Sequence, residues 1–366
     1  MEVWNSLHPA LALARSLERN DVLPPIYWGL SVNVGAQGRV AEALPWAHEM
    51  LDTAKAAGDA ALLVTGHMAV CNYSFWMGRL VECLEHHDKV LALYDEQEHL
   101  HLVDLLNEDP KTQAGVFASL STWMLGYPDR AVRMFNEVIA RARRIGHPFG
   151  LGWALSQGSD ILCYRCDLEE QRKLLDECDQ LGRENSLPVL WAVMAPGRYG
   201  MAFIREGKAA EGIAPLKKTL ALWDASGGKV WSPNGKSVLA DAMAQTGDLD
   251  EALRLIDEQI EQVERPGWEE RVHYAEILRL KGWMLTLKDD LAGAEKNYLA
   301  SLDWAREQKA KSWKLRTSTS LARLWQQQGK RKEAHDLLAP VYNWFTEGFD
   351  TKDLKEAKAL LEELTA

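Results

Sequence analysis

The sequence predicts an all-α solenoid of about eight helical hairpins, closed by a helix at each end. Three observations predict it. One turn phrase recurs at nearly constant spacing, small residues recur at fixed offsets from it, and no segment shows the two-residue alternation and β-branched enrichment of a strand. The phrases are AQGRVAEA, WMGRLVEC, MLGYPDRA, YRCDLEEQ, REGKAAEG, QTGDLDEA, LKDDLAGA and QQGKRKEA. Their turn positions are Gly38, Gly78, Gly126, Cys166, Gly207, Gly247, Asp289 and Gly329, spaced by 40, 48, 40, 41, 40, 42 and 40 residues.

The offsets test this alignment independently. Seven residues before each turn stand Ser31, Cys71, Ser119, Ser159, Gly200, Ala240, Gly282 and Ala322, all small. Five residues after it stand Ala43, Cys83, Ala131, Gln171, Gly212, Ala252, Ala294 and Ala334, small except for Gln171. Small residues at such positions let the two helices of a hairpin approach closely. The pattern resembles the tetratricopeptide repeat, which has a period of about 34 residues. A period near 40 implies slightly longer helices or loops in an otherwise right-handed solenoid of that kind.

The elements follow in order. Residues 1–23 read as a capping half-repeat, with a helix from Val3 to Arg19. Residues 24–347 hold the hairpins. The one long spacing falls at DEQEHLHLVDLLNEDP, so that linker carries an insertion of about eight residues. In the last hairpin Leu321, Ala322, Trp325, Ala334, Leu338 and Val341 follow the three- and four-residue steps of a buried helix face. Residues 348–366 read as the closing cap, since an open solenoid end cannot bury its own apolar face. Tyr342, Trp344 and Phe345 end the last hairpin, Gly348 stops its helix, Asp350 or Thr351 caps the next, and Phe349 seats the helix Leu354–Leu364.

Composition bounds the function. The chain has 366 residues, 47% hydrophobic and 26% charged, with a net charge of −11. That balance argues against a general nucleic-acid or anionic-membrane binder, which needs a basic face. No run of 18 apolar residues and no signal-peptide pattern is present. Five cysteines inside apolar-periodic segments read as small core residues of a reducing cytoplasm.

Several motifs invite chemistry and fall short of it. SPNGKS supplies Gly235, Lys236 and Ser237, half of a phosphate-binding loop, but Val230 stands where the first glycine is needed. It reads as an inter-repeat turn leading into a helix. Cys163 and Cys166 form a lone C-x-x-C with only Cys178 nearby, short of the four ligands of a structural zinc site. His86, His87, His99 and His101 flank the long linker; a histidine–carboxylate site is conceivable, and a surface connection with one packed histidine is the simpler reading. His147-Pro148 reads as a turn. Arg141, Arg143 and Arg144 end a helix, where cations complement its dipole, and are a candidate docking patch for an acidic partner. No nucleophile, base and acid arrangement is legible. The expectation is no enzyme, no catalytic residue, no metal and no cofactor.

The remaining signal is aromatic. Fifteen tryptophans are present, many in the first helices of hairpins. Tetratricopeptide arrays resemble one another in lining a concave surface with that helix. Steps of three and four beside the core stripe select Trp28, Asn72, Phe75, Trp123, Trp153, Asp160 and Met201 in the N-terminal half. They select Asp241, Glu276, Arg279, Trp283, Arg316 and Arg323 in the C-terminal half. The expected groove is aromatic at one end and charged at the other; the competing reading places the aromatics in the core. One extended partner segment with apolar anchors and an acidic end would fit such a groove.

The ending LAPVYNWFTEGFDTKDLKEAKALLEEL resembles that of large bacterial signalling proteins that join a class III adenylate/guanylate cyclase domain, an ATPase domain and a long tetratricopeptide region. YWGLSVNVGAQGRVAEA, VLALYDEQEHL, MLGYPDRA, IGHPFGLGWALS, ILRLKGWML and AKSWKLRTSTSLARLWQQQGK extend the resemblance from about Tyr27 to the end. Neither catalytic domain is present in this sequence. The resemblance therefore implies a cytoplasmic regulator or scaffold that binds a protein or peptide partner, a cyclase–ATPase protein being one candidate, with no nucleic acid and no membrane. Two other readings stand beside it. One is a detached sensor part of such a protein, working with its catalytic partner in trans. The other is a small-molecule-sensing solenoid with its pocket at the aromatic end.

Overall fold

A computed structural model describes residues 2–365, with side chains from Ser6 onward. No strand is present among the described residues. The helices are α1 (Glu2–Ser16), α2 (Leu23–Ala36), α3 (Val40–Ala57), α4 (Ala60–Trp76), α5 (Leu80–Leu93), α6 (Glu96–His99), α7 (Leu102–Leu106), α8 (Pro110–Met124) and α9 (Pro128–Ile145). There follow α10 (Pro148–Gly158), α11 (Asp160–Arg165), α12 (Leu168–Glu184), α13 (Ala195–Arg205), α14 (Ala209–Ala225), α15 (Ser232–Gln245) and α16 (Leu249–Glu264). The last are α17 (Tyr274–Leu287), α18 (Leu291–Glu307), α19 (Lys311–Gln327), α20 (Arg331–Tyr342) and α21 (Lys352–Thr365). A π-helical turn, Val189–Met194, leads into α13.

Helices pair across the turn positions: α2 with α3, α4 with α5, α8 with α9, α10–α11 with α12, and so on to α19 with α20. Every turn position named above has a positive φ, from +62° at Asp289 to +101° at Gly126. A left-handed residue ends the first helix and reverses the chain, and glycine does this without a Cβ clash. Cys166 takes the same role at φ +66°, at a cost of about 1–2 kcal/mol. The small residues at both offsets are buried. Their size is required: a Cβ on Gly212 would lie 2.5 Å from the Gly200 carbonyl oxygen, and the Cys71 and Cys83 sulfurs are 3.4 Å apart. Gln171 is fully buried there with both amide atoms unpartnered.

The solenoid folds back upon itself. Loops between later hairpins sit on the turns of earlier ones and satisfy helix C-terminal carbonyls, which have no partner within their own helix. Lys229 N and Val230 N donate to Ala36 O at 2.7 and 3.1 Å, and Val272 N donates to Trp76 O at 3.1 Å. Ser312 Oγ donates to Trp123 O at 2.6 Å, and Arg316 Nη2 to Tyr164 O at 2.9 Å. The loop before α21 completes the seam. Glu347 accepts from Asp129 N and Arg130 N, both at 2.9 Å, and Asp350 pairs with Arg165 at 3.4 Å.

This seam corrects the expected cap. Phe349 does not seat the last helix; it is 50% exposed, edge-on to Tyr342. Trp344 reaches across to Tyr127 at the α8–α9 turn. Gly348, at φ +76°, lies beyond the end of α20 and donates its N–H to Asp129. The last helix is held instead by Leu354, Ala357, Leu360 and Leu364 against Leu315, Val341 and Phe345. The long linker folds into α6 and α7. His86, His87 and His99 are all buried rather than one alone, His86 with its Nδ1 3.1 Å from that of His67. Burial pushes both His67 and His86 down to about 4.

Candidate interior binding site

The back-folding encloses interior space whose two ends differ. Toward the N-terminal half lies a cavity of about 260 Å³. Much of its wall is aromatic because first helices of consecutive hairpins turn the same face inward. Trp28 comes from α2, Tyr73 and Trp76 from α4, Phe117 from α8, and Phe149 and Trp153 from α10. Trp223 from α14, and Val230 and Trp231 from the loop seated on Ala36, close it from the other coil.

Polar groups interrupt these walls: Asn72, Glu108, Gln113, Gln157 and Arg198. Arg198 is fully engaged. It donates to Asp160 at 3.0 and 3.3 Å, to Met194 O at 3.5 Å and to Gln157. Five buried atoms on the wall have no hydrogen-bond partner among the described residues: Asn72 Oδ1, Tyr73 Oη, Glu108 Oε2, Gln113 Oε1 and Trp231 Nε1. An unpaired buried polar group costs about 1–3 kcal/mol.

Glu108 stands out among them. It is 9% exposed and enters from the inserted segment just before α8. Burial pushes its carboxyl up to about 8, while side-chain hydrogen bonding from Gln113 and Trp28 acts the other way. Its neighbour Asp109 takes the nearby guanidinium: Arg141 donates to Asp109 at 2.7 and 3.2 Å. Arg141 is therefore a buried ion-pair member rather than part of a docking patch. Arg143 pairs with Glu177 and Arg144 with Glu96.

The middle of the interior is filled. The Trp123 ring lies 4.6 Å from Tyr164 and 5.0 Å from Trp313 between centroids. The Arg316 guanidinium lies 5.1 Å from both tryptophan rings and donates to Asp353 at 2.7 Å. Tyr164 Oη is 2.8 Å from His273 Nε2. Burial pushes that imidazole down to about 3, so it is neutral and shares one hydrogen bond with the phenol.

Beyond this plug lies a polar recess of about 130 Å³ with Arg205, Arg279, Arg316, Arg323, Lys352, Asp353 and Glu356 on its walls. Most of these charges neutralise one another. Arg279 forks onto Glu276 at 2.7 and 2.9 Å. Although burial opposes it, Arg279 and Arg316 hold the Glu276 carboxyl down to about 2. Arg205 Nη2 is the one cationic atom there that is buried without a partner among the described residues.

The residues selected from sequence thus separate. Trp28, Asn72 and Trp153 line the aromatic cavity. Arg279, Arg316 and Arg323 line the recess. Phe75 and Trp123, each 2% exposed, are core. Asp160 lies in the buried pair with Arg198. Met201, Asp241 and Glu276 line a void of about 40 Å³ between the two ends. Trp283 is half-buried against the core and lines neither space. A single extended segment along the whole inner face meets the Trp123–Tyr164–Trp313–Arg316 plug, so the expected continuous groove is two separate spaces. Sequence reasoning missed Glu108, Gln113, Arg198 and Trp231. Only Glu108 carried a signal, through the spacing of 48.

The other motifs resolve as structure. Gly235 lies inside α15 rather than in a turn, and Ser237 spends its hydroxyl on Pro233 O at 2.6 Å. Cys163 and Cys178 are buried, and the five cysteines are free thiols. His147 caps α10 by accepting from Gly150 N at 3.2 Å. No group of three metal-ligating side chains occurs among the described residues. No described helix is long and apolar enough to cross a membrane.

The tetratricopeptide repeat family model matches residues 233–258. No curated protein matches the sequence. Among solved structures, a Rap protein complexed with Competence and Sporulation Factor superposes with a TM-score of 0.57 at 10% identity, over 93% of this chain and 96% of that one. The apo form of the quorum sensor NprR from B. thuringiensis gives 0.49 at 14% identity, over 82% and 80%. Yeast Tom70 gives 0.40 at 13% identity over 89% of this chain, which spans 60% of that chain's length. The chain is thus an all-helical, tetratricopeptide-like solenoid.

Proposed function

We propose that this chain is a non-enzymatic regulatory module that captures a segment of a partner protein in its aromatic cavity. The observation that carries this reading is the cluster of unpartnered buried polar atoms on an otherwise apolar wall. A pocket that is mostly aromatic with a few convergent polar groups is the usual form of a ligand site. The wall also supports a regulatory output. An occupant touches Trp28 and Tyr73 of the first coil and Trp231 of the second, next to the seam at Ala36. It would therefore favour the closed seam by its differential affinity for that state. The helical-solenoid fold suits such a role. The resemblance of the C-terminal stretch to cyclase–ATPase signalling proteins makes such a protein the partner we assign, in a bacterial cytoplasm, with residues 1–23 and 348–366 as the ends of the array.

The test is selection from a displayed peptide library followed by calorimetry. Selected segments should lose tenfold or more in affinity, about 1.4 kcal/mol, in the Asn72→Leu, Gln113→Leu double variant. Affinity that survives this change but is lost on Lys173→Glu with Arg254→Glu, on the outer helices, overturns the interior assignment.

A further inference from the structure

We propose that the group this cavity selects is an organic ammonium on an apolar body, with Glu108 as its counter-ion. This inference rests on the interior-binding reading above and adds the charge and donor pattern of the occupant.

Three observations point the same way. First, Glu108 is a carboxylic acid nine-tenths buried with Oε2 unpartnered, and no cation among the described residues serves it. Arg141 is spent on Asp109 and Glu96. Arg198 is spent on Asp160 and Gln157. Second, the unpartnered oxygens of Asn72, Glu108 and Gln113 can all accept. A primary ammonium offers three donors and no acceptor. An anionic occupant would meet these oxygens and find its natural partner, Arg198, already filled. Third, rings make up much of the apolar wall, among them Trp28, Tyr73, Phe117 and Trp153, beside aliphatic Val40, Val189, Val193 and Met194. Ring faces attract a cation by their quadrupole, and more strongly when it is desolvated. An aliphatic wall would offer apolar burial without that attraction.

Binding then carries a proton signature. Glu108 takes up the ammonium as carboxylate, so near neutral pH its proton leaves to the buffer. The other titratable groups around Glu108 are Tyr73, the Asp109–Arg141 pair and His147, with the Asp160–Arg198 pair across the cavity and Glu270 behind Trp231. Burial holds Tyr73 and Glu270 in their neutral forms. Neither of these two changes state on binding.

The experiment titrates the full chain with 2-phenylethylammonium, 2-phenylethanol and 3-phenylpropionate, read by tryptophan fluorescence and calorimetry. A second arm compares Phe-Gly-Gly amide with its N-acetylated form, which separates a peptide amino terminus from a free amine. The ammonium should bind at least roughly tenfold tighter than the alcohol and tighter still than the acid. Its affinity should rise from about pH 6 to about pH 8 as Glu108 gives up its proton. In Glu108→Gln the preference over the alcohol should vanish while alcohol binding stays. Asn72→Leu should weaken the ammonium in a background that retains Glu108. Equal affinity for ammonium and alcohol, tighter binding of the acid, or affinity falling with pH overturns the proposal; the last would mean that Glu108 works as a protonated donor. If library-selected segments bind the cavity and the ammonium probes do not, only this inference falls. If neither binds, the interior-binding reading falls as well.

Discussion

The two interior spaces are built from the same helix face and came out opposite. In the C-terminal recess, Arg279, Arg316, Glu276 and Asp353 satisfy one another at 2.7–3.4 Å. In the N-terminal cavity, Asn72, Gln113 and Glu108 each keep an oxygen without a partner among the described residues. A satisfied charge network rigidifies and specifies structure; an unsatisfied one is a cost without structural return. The recess therefore reads chiefly as the tie between coils, and the cavity as the site we propose for an occupant. Removing a group should cost stability in the first and little in the second.

Arg316→Ala should show the largest effect. It leaves Asp353 and Glu276 without that buried cation and uncaps Tyr164 O. Loss of about 3–5 kcal/mol is expected, measured by chemical denaturation. A change below about 1 kcal/mol would mean that the recess is not structural and the contrast is false. Glu108→Gln comes next and acts in the opposite direction. A carboxyl raised to about 8 in the folded chain stabilises below its unfolded pKa, near 4.5, and that contribution is lost as pH rises through 8. The glutamine variant should therefore melt higher than wild type at about pH 9 and nearly equally at about pH 4. A constant melting difference across that range would show that Glu108 is not the buried, uncompensated acid described here.

Ser312→Ala tests the seam itself. It removes the hydrogen bond to Trp123 O, although Gly126 N still donates to that carbonyl. About 1 kcal/mol of destabilisation is expected. No change in the denaturation midpoint would make this seam bond incidental. The smallest effect belongs to Asn72→Leu. It deletes an unpartnered polar atom from an apolar wall, so stability should stay within about 0.5 kcal/mol or rise. A loss as large as that of Arg316→Ala would place Asn72 in a structural network and remove it from the binding wall.

How much of this was legible follows from where each signal lives. Turn positions and small offsets are local and repeated eight times, so one sequence shows them; every turn has the left-handed backbone it requires, even at Cys166 and Asp289. The inward face of the first helices was legible only in part. Trp28 and Trp153 line the cavity, whereas Phe75 and Trp123, chosen by the same steps, are core. Periodicity reports the side of a helix that is buried and is silent about what buries it. The Arg141 ion pair shows the same limit: its partner Asp109 lies 32 residues away in the insertion, outside the repeat.

The sequence by itself determined the solenoid, its turns and its close helix pairing, because these depend on contacts between neighbouring hairpins. The tertiary structure alone decided that loops near Lys229, Val272, Ser312 and Glu347 would seat on turns about 190–220 residues earlier. It thereby plugged the expected groove at Trp123 and Arg316 and split it into a charged tie and an aromatic cavity. The physical reason is that coil-to-coil contact depends on the summed rotation of many hairpins. Each contributes a small angle that no local pattern encodes, and the hydrogen bonds that fix the result form only once those angles have accumulated.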